Sequence, residues 1–164
     1  MNALLDVIDQ LARSKQTVAF AESCTSGLLS ASLGAIPGVS RVFQGAIVSY
    51  ANDVKENLLD VPADLLKTFG AVSEQVAAKM AEGARTRLHS TWGVSVTGIA
   101  GPDGGSAEKP VGTVCFAVAG PKLGMTDVET QTWTQKFSGS RVEIQQQSVQ
   151  TALNLLRDRL ASKD

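Results

Sequence analysis

The chain has 164 residues, 43% of them hydrophobic, and its 15 Lys and Arg residues nearly balance 16 Asp and Glu residues. This length and apolar content predict a single domain, residues 1–164, with a substantial core. The formal net charge of −1 excludes a global field that would steer the chain to nucleic acid or to anionic lipid.

The N-terminal segment and the cysteines indicate where the chain works. Asp6 and Asp9 interrupt the apolar pattern of residues 1–12, which is wrong for a signal peptide. No apolar run approaches the roughly 20 residues of a membrane span. With only Cys24 and Cys115, a disulfide framework is not expected, and the sequence predicts a reducing, cytoplasmic location.

The first half of the chain predicts alternating helices and strands. Apolar residues recur at helical spacing near the N-terminus and again after residue 27, and β-branched apolar runs lie between them. The predicted elements are a helix carrying Leu4, Leu5, Ile8 and Leu11, a strand over 17–21, a helix from about Thr25 to Gly34, a strand over 42–50, and a helix with Lys55 on its first turn.

The second half predicts more helices, a strand, a hairpin and a long last helix. Ser140 and Glu143 form a capping box for that helix. The order of elements predicts a mixed sheet with helices on both faces. The predicted elements are a short helix from Pro62 to about Phe69, a helix over 74–89 capped by Ser73, a strand over 94–97, and strands over 111–119 and 126–137 joined by residues 120–124.

The segment 22–26 is the first chemically rich region. It places one carboxylate, three hydroxyls and one thiol directly after a buried strand and before a helix. We expect the free N–H groups and positive dipole end of that helix to face Ser23, an arrangement that suits an oxyanion or a phosphate.

The second chemically rich region is the loop 98–112. Glycines and prolines dominate it, and it has little of the charge or low complexity that favours disorder. Loops of this length in a compact domain are usually functional when they are ordered.

Four segments together form a recognisable set of motifs. They are AESCTSG at 21–27, SYANDVK at 49–55, GAVSEQVA at 70–77 and TGIAGPDGGSAEKPVGTV at 97–114. The set resembles the CinA C-terminal-domain family of nicotinamide-nucleotide amidases, also called nicotinamide mononucleotide deamidases and linked historically to competence or damage induction. The resemblance covers nearly the whole chain and implies the stand-alone form. It also implies an α/β/α sandwich, here with a mostly parallel sheet, a C-terminal antiparallel hairpin and a long last helix.

The resemblance implies hydrolysis of the nicotinamide carboxamide of nicotinamide mononucleotide to a carboxylate and ammonia, in pyridine nucleotide recycling. Ser23 matches the nucleophile of the family and Lys55 its base, with no metal and no cofactor. A lysine with its ordinary pKa of about 10.4 is mostly protonated at pH 7, so burial or a nearby cation must lower that pKa before the lysine can act as a base. The oxyanion would bind N–H groups near Cys24 and Thr25.

Several neighbouring side chains are candidates for supporting roles. Tyr50 and Asn52 are placed to orient Lys55 or the carboxamide, and Glu22 to position them electrostatically. Each of these residues also has a purely structural interpretation. In that interpretation Glu22 would stabilise a helix N-terminus, Tyr50 would be a core or rim residue, and Asn52 or Asp53 would be an N-cap. Ser23 as a helix cap and Lys55 as a surface cation are the corresponding alternatives.

Cys24 is the alternative nucleophile. A thiol at a helix N-terminus can have a lowered pKa. Its partner would have to be His89, the only histidine, which lies far away in the sequence. One histidine and two separated cysteines also disfavour a zinc site, which normally needs three or four ligands.

The glycine-rich loop is predicted to receive the 5′-phosphate and ribose of the substrate, since glycines let backbone N–H groups approach an anion. It matches neither a Walker loop nor a dinucleotide fingerprint. Asp103 is the candidate for the ribose hydroxyls, and Arg141 either contacts the phosphate or is a surface arginine. The predicted binding positions in and after the loop are Thr97, Gly98, Gly101, Asp103, Gly104, Gly105 and Arg141.

One residue departs from the motif of the family, which usually reads ESCTGG. Ser26 stands where the first glycine is expected. If that position needs a positive φ, we expect Ser26 to weaken substrate binding or change substrate preference.

Two other classes of function remain open from sequence. One is a catalytically silent module that binds a pyridine nucleotide and acts through a partner. The other is an interaction domain in DNA uptake or damage response, although the lack of basic clusters argues against direct DNA contact. No membrane partner is expected, and self-association is expected because small domains with apolar helices can share faces.

Overall fold

The computed structural model describes residues 2–122 and 127–162. Its strands are β1 (Val18–Glu22), β2 (Phe43–Val48), β3 (Trp92–Gly98), β4 (Thr113–Pro121) and β5 (Val128–Lys136). Its helices are α1 (Ala3–Arg13), α2 (Leu28–Gly34), α3 (Asn52–Leu59), α4 (Ala63–Phe69), α5 (Glu74–Arg87) and α6 (Arg141–Ala161).

The five strands form one mixed sheet in the order β2-β1-β3-β4-β5. β1 pairs in parallel with β2 and with β3, and β4 is antiparallel to both β3 and β5. Four strands therefore run in one direction and β4 runs in the other. This confirms the predicted mostly parallel sheet with a C-terminal hairpin, whose connecting residues 123–126 lie outside the described residues.

Helices cover both faces of the sheet, which confirms the three-layer α/β/α architecture. Alternate residues of a strand point to opposite faces. In β1, Val18 and Phe20 join a core with α1, α2 and α6. Ala19 and Ala21 join a second core with α3, α4 and α5, in which Met80 is fully buried.

The predicted caps are mostly present. The Ser73 hydroxyl accepts a hydrogen bond from the Val76 N–H at the start of α5, and Ser140 and Glu143 form the capping box of α6. Pro62 precedes α4 as its N-cap residue and is not its first helical residue. The prediction that α5 reaches His89 was wrong by two residues, because His89 has a φ of +50°, which a right-handed helix cannot contain.

The predicted start of α2 was also wrong. The helix begins at Leu28 and not near Thr25, because Ser26 and Gly27 have φ values of +51° and +98°. This left-handed pair forms a turn between β1 and α2. The residues 23–26 therefore lie in a turn outside the helix.

Candidate active site

The site lies where the carboxyl ends of β1, β2 and β3 meet. The Ser23 N–H donates to the Val96 carbonyl, and the Ser49 N–H donates to the Glu22 carbonyl, so the three chain segments leave the sheet side by side. α2 covers one face of the sheet next to β1, and α5 covers the other. Such a switch point at the carboxyl edge of a parallel sheet is where α/β proteins bind ligands.

Ser23 and Lys55 meet in this crevice. The Lys55 Nζ atom lies 3.2 Å from the Ser23 Oγ atom. Ser23 follows β1 directly, and Lys55 projects from the inner face of α3 together with Leu59. The Lys55 side chain is only 1% exposed, which rules out a solvated surface cation.

The Lys55 amine has a set of contacts that suits the neutral form. It donates to the Ser49 carbonyl at 2.6 Å and to the Tyr50 carbonyl at 3.2 Å. No carboxylate among the described residues pairs with it. Burial lowers its pKa to about 8, against a weak opposing effect of Cys24. A neutral amine would use two N–H bonds on the carbonyls and keep its lone pair for the Ser23 hydroxyl proton.

The Cys24 thiol is placed for packing. It is 4% exposed and belongs to the apolar core on the α2 and α6 face. Burial raises its pKa to about 12, and Glu22 adds to the rise, so the thiolate is scarce at neutral pH. His89 follows α5 at the amino end of β3, the opposite edge of the sheet, so it cannot activate Cys24.

Glu22 faces away from the serine and lysine. Its carboxylate is fully buried and accepts hydrogen bonds from the Thr25 hydroxyl and from the N–H groups of Gly27, Leu29 and Ser30. No hydrogen bond joins it to Ser23 or Lys55. Of the two predicted roles, the geometry supports stabilisation of the start of α2.

The turn after Ser23 retains free donors. The N–H groups of Cys24 and Thr25 donate to no other residue in the described part of the chain. Those of Gly27, Leu29 and Ser30 are bonded to Glu22, so the first turn of α2 is not available to a ligand. The predicted donors near Cys24 and Thr25 are therefore unbonded, but they lie in the turn before α2 and not in the helix itself.

Arg141 links three segments at the rim of the site. Its guanidinium donates to the Tyr50 hydroxyl at 2.9 Å and to the Gly101 carbonyl at 2.8 Å. Both acceptors are neutral, and no carboxylate among the described residues pairs with Arg141. Its positive charge acts on the Cys24 thiol, so it lies within electrostatic range of the turn after β1. The Tyr50 ring is a rim residue, 57% exposed.

Packing explains several glycines of the loop 98–112. A Cβ atom on Gly98 would lie 2.7 Å from a Val114 methyl carbon, and one on Gly105 would lie 2.6 Å from the Val111 nitrogen. Gly101 has a φ of +77°, and a Cβ there would lie 2.5 Å from a Val111 methyl carbon. A Cβ atom on Gly104, whose φ is +92°, would make only an ordinary van der Waals contact, 3.8 Å from an Ile99 methyl carbon. The N–H groups of residues 100, 101 and 103–105 nevertheless donate to no described residue, and those of the exposed residues 103–105 are accessible to an anion.

The other predicted binding residues make no contact with Ser23 or Lys55 through side-chain hydrogen bonds. Asn52 is the exposed first residue of α3, and Asp103 is exposed in the glycine-rich loop; neither side chain makes a hydrogen bond within the described chain. Ala51, and not Asn52 or Asp53, is the N-cap residue of α3. The buried Thr97 hydroxyl donates to the Ala71 carbonyl and so joins β3 to the segment before α5.

Two supporting residues escaped the sequence analysis. Ser49 holds the Lys55 amine through its carbonyl, and a backbone carbonyl leaves no signal in a sequence. The Gln145 side chain donates to the Cys24 carbonyl at 2.8 Å. Gln145 lies four residues after Arg141 on α6, so helical periodicity places both on one face and was the available signal.

Residues 2–122 and 127–162 contain neither a metal-binding cluster nor a membrane-spanning helix. No three His, Cys, Asp or Glu side chains come close enough together there to hold a metal ion. None of the described helices combines the length and apolar character needed to cross a membrane.

The fold is shared with solved structures of other bacterial proteins. The competence/damage inducible protein CihA from Agrobacterium tumefaciens is 40% identical, with a TM-score of 0.87 over 97% of this chain and 93% of that one. The competence damage-inducible protein A from Klebsiella pneumoniae is 30% identical, with a TM-score of 0.90 over 97% of this chain and 95% of that one.

Curated relatives match at higher identity. A CinA-like protein of Prochlorococcus marinus subsp. pastoris is 48% identical over 92% of this chain and 34% of its own length. A CinA-like protein of Anaeromyxobacter dehalogenans is 49% identical over 92% of this chain and 36% of its own length. The chain thus spans about a third of these relatives. A model of the CinA C-terminal domain matches residues 2–160, and the chain belongs to that family.

Proposed function

We propose that the chain is an amidohydrolase that converts nicotinamide mononucleotide to nicotinate mononucleotide and ammonia, within pyridine nucleotide recycling. The observation that carries the proposal is the buried Lys55 amine, 3.2 Å from the Ser23 hydroxyl and without a carboxylate partner in the described chain. A serine needs a base to become nucleophilic, and serine-lysine pairs are a known solution.

The first half of the reaction forms an acyl-enzyme. Neutral Lys55 takes the hydroxyl proton while Ser23 Oγ forms a bond to the carboxamide carbon, whose C=O π electrons move to oxygen. The N–H groups of Cys24 and Thr25 stabilise the resulting oxyanion. When the oxyanion collapses, the C–N bond breaks, and protonated Lys55 gives its proton to the leaving nitrogen, which departs as ammonia.

The second half consumes one water. Lys55, neutral again, takes a proton from the water as its oxygen attacks the acyl carbon. The second tetrahedral intermediate then breaks its bond to Ser23, and the serine oxygen recovers a proton from Lys55. The product is the carboxylic acid of nicotinate mononucleotide, which becomes the carboxylate by losing its proton to the released ammonia or to water, and the enzyme returns to its starting state.

The positive charge of Arg141 at the rim of the site supports the proposal that the substrate is a nucleotide. Arg141 has only neutral acceptors in the described chain, and the nearby loop has unbonded N–H groups at residues 100, 101 and 103–105. An arginine and backbone N–H groups are the donors that bind phosphate. The Arg141 bond to the Gly101 carbonyl brings the two donor sets together.

The test is ammonia release from nicotinamide mononucleotide by the purified wild type and by Ser23→Ala, Lys55→Ala and Cys24→Ala. We expect loss of turnover in the first two and less than about a threefold change in the third, because only the backbone of Cys24 takes part. Binding of the nucleotide by a folded wild type without ammonia release would instead support the catalytically silent binding module.

A further inference from the structure

We propose that Glu22 is a positioning residue, whose carboxylate holds the turn 23–26 so that the N–H groups of Cys24 and Thr25 are presented to the oxyanion. This inference rests on the proposed function, since it concerns how the same site stabilises its transition state. It assigns Glu22 a role through the backbone turn and none in contact with the substrate.

The carboxylate is saturated by donors from the turn and from α2. One oxygen accepts from the Thr25 hydroxyl at 2.7 Å, from the Gly27 N–H at 3.0 Å and from the Leu29 N–H at 3.1 Å. The other accepts from the Ser30 N–H at 2.8 Å and from the Ser30 hydroxyl. A fully buried carboxylate with five donors is oriented on every side.

This saturation decides which N–H groups remain free. The carboxylate takes three of the N–H groups between Gly27 and Ser30, and the Thr25 carbonyl takes that of Leu28. The Ser26 N–H bonds to the Ser23 carbonyl. Only Cys24 and Thr25 keep uncommitted N–H groups within the segment 23–30.

The backbone of the turn needs such support. Ser26 and Gly27 are both left-handed, with φ values of +51° and +98°, and a serine adopts that conformation at a cost. Glu22 accepts hydrogen bonds from Thr25 before this pair, from Gly27 within it and from Leu29 after it, so the carboxylate holds both ends of the turn. Without the carboxylate, five donors, two of them in buried and three in partly buried hydrogen bonds, would lose their acceptor.

The chain offers a matched pair of variants. Thr25→Val and Ser30→Ala each remove one hydroxyl that donates to the Glu22 carboxylate, but only Thr25 belongs to the turn that carries the free N–H groups. We expect Thr25→Val to lower kcat by about 10-fold or more with KM changed less than about threefold, because the oxyanion exists only in the transition state. We expect Ser30→Ala to remain within about threefold of the wild type in both constants.

Glu22→Gln extends the test. One carboxylate oxygen accepts three hydrogen bonds and the other accepts two. In the glutamine an NH₂ group, which only donates, would replace one of these oxygens, so the turn would lose its support. We expect a drop in kcat of about 100-fold or more in a protein whose circular dichroism stays native. Equal effects of Thr25→Val and Ser30→Ala, or a wild-type kcat in folded Glu22→Gln, would overturn the inference.

A fluorophosphonate probe separates this inference from the identity of the substrate. The probe reacts with an activated serine, and its P=O oxygen draws on the same N–H groups without any nucleotide. Labelling of Ser23 that slows in Thr25→Val but not in Ser30→Ala supports the role of Glu22, even if the wild type releases no ammonia from nicotinamide mononucleotide. A wild type that neither turns over nor is labelled overturns both proposals.

Discussion

The Lys55 Nζ atom lies 3.2 Å from the Ser23 Oγ atom, although 32 residues separate them in the sequence. The contact exists because β1 and β2 are parallel neighbours, so the turn after β1 and the start of α3 after β2 leave the sheet at one edge. The carbonyls of Ser49 and Tyr50 complete the surroundings of the amine. No carboxylate among the described residues pairs with the amine, and in the proposed mechanism its protonation sets the pH behaviour of the site.

Activity should rise with pH as Lys55 loses its proton. Burial lowers the pKa of Lys55 to about 8, and the neutral amine is the active form, so kcat/KM should increase up to that pH and then level off. The rise should be close to tenfold per pH unit below the pKa. The measurement is a kcat/KM profile from about pH 6 to about pH 9.

Lys55→Arg is the control for this profile, because a guanidinium stays protonated in proteins and cannot act as the base. We expect this variant to lack activity at every pH. A flat wild-type profile across the same range would show that Lys55 is not the titrating base.

The free energy of unfolding should also depend on pH through the lowered pKa of Lys55. The pKa of Lys55 is about 8 in the folded chain against an ordinary value of 10.5, so the folded state disfavours the bound proton. The wild type should therefore gain stability relative to Lys55→Met as pH rises from 8 towards 10.5. The slope should approach about 1.4 kcal/mol per pH unit.

Urea unfolding of both proteins at several pH values in that window measures this difference in free energy. Comparison with Lys55→Met removes the contribution of every other titrating group that the two proteins share. A difference that stays constant, or that falls as pH rises, contradicts a lowered pKa in the folded state.

The thiol of Cys24 should be inert in the folded protein. Burial raises its pKa to about 12, and the side chain is 4% exposed. Iodoacetamide should neither label Cys24 nor inhibit the enzyme, whereas denatured protein should react at once. Cys115→Ala serves as the background, because Cys115 is the other buried thiol and its pKa is also raised by burial. Rapid inactivation of this folded variant would return Cys24 to the list of nucleophiles.

Arg141 should discriminate a nucleotide from a nucleoside. Within the described chain the Arg141 guanidinium donates only to neutral acceptors, which leaves its charge for the substrate phosphate. Arg141→Gln removes that charge, so KM for nicotinamide mononucleotide should rise about 10- to 100-fold. Nicotinamide riboside, which lacks the phosphate, should be affected much less. Arg157→Gln on the same helix is the control, since Arg157 pairs with Asp158. Equal losses for both substrates would place Arg141 in a purely structural role.

Ser26→Gly should stabilise the protein. Ser26 has a φ of +51°, a conformation that costs a non-glycine residue about 1–2 kcal/mol, and glycine would remove this cost. The greater conformational freedom of glycine in the unfolded chain offsets about 0.4–1 kcal/mol of that stabilisation. A net increase of about 0.5–1 kcal/mol in the free energy of unfolding is expected, measured in urea. Ser26→Ala keeps the Cβ atom and should give no such increase. A less stable Ser26→Gly protein would show that the serine side chain supports the turn.

Much of the local structure was readable from the sequence. Periodic apolar residues predict α1, α5 and α6, since helices bury one stripe of side chains, and Ser73 and Ser140 mark the starts of α5 and α6 because caps act within a few residues. The alternation of these elements also predicts the layered fold that the structure and the related solved structures confirm. Such features depend on interactions between near neighbours in the chain, so a sequence records them.

The tertiary structure alone decided the environment of the site. Burial of Lys55 and the bonds of Arg141 to Tyr50 and Gly101 join segments that are distant in sequence. The Glu22 carboxylate bonds only within residues 25–30, but the path of the folded turn decides that these donors surround it. The late start of α2 has the same origin, because the Glu22 carboxylate and two left-handed residues replace the expected first helical turn. A pKa and a free N–H group depend on desolvation and on which acceptors lie within reach, and only the folded arrangement of the chain sets these.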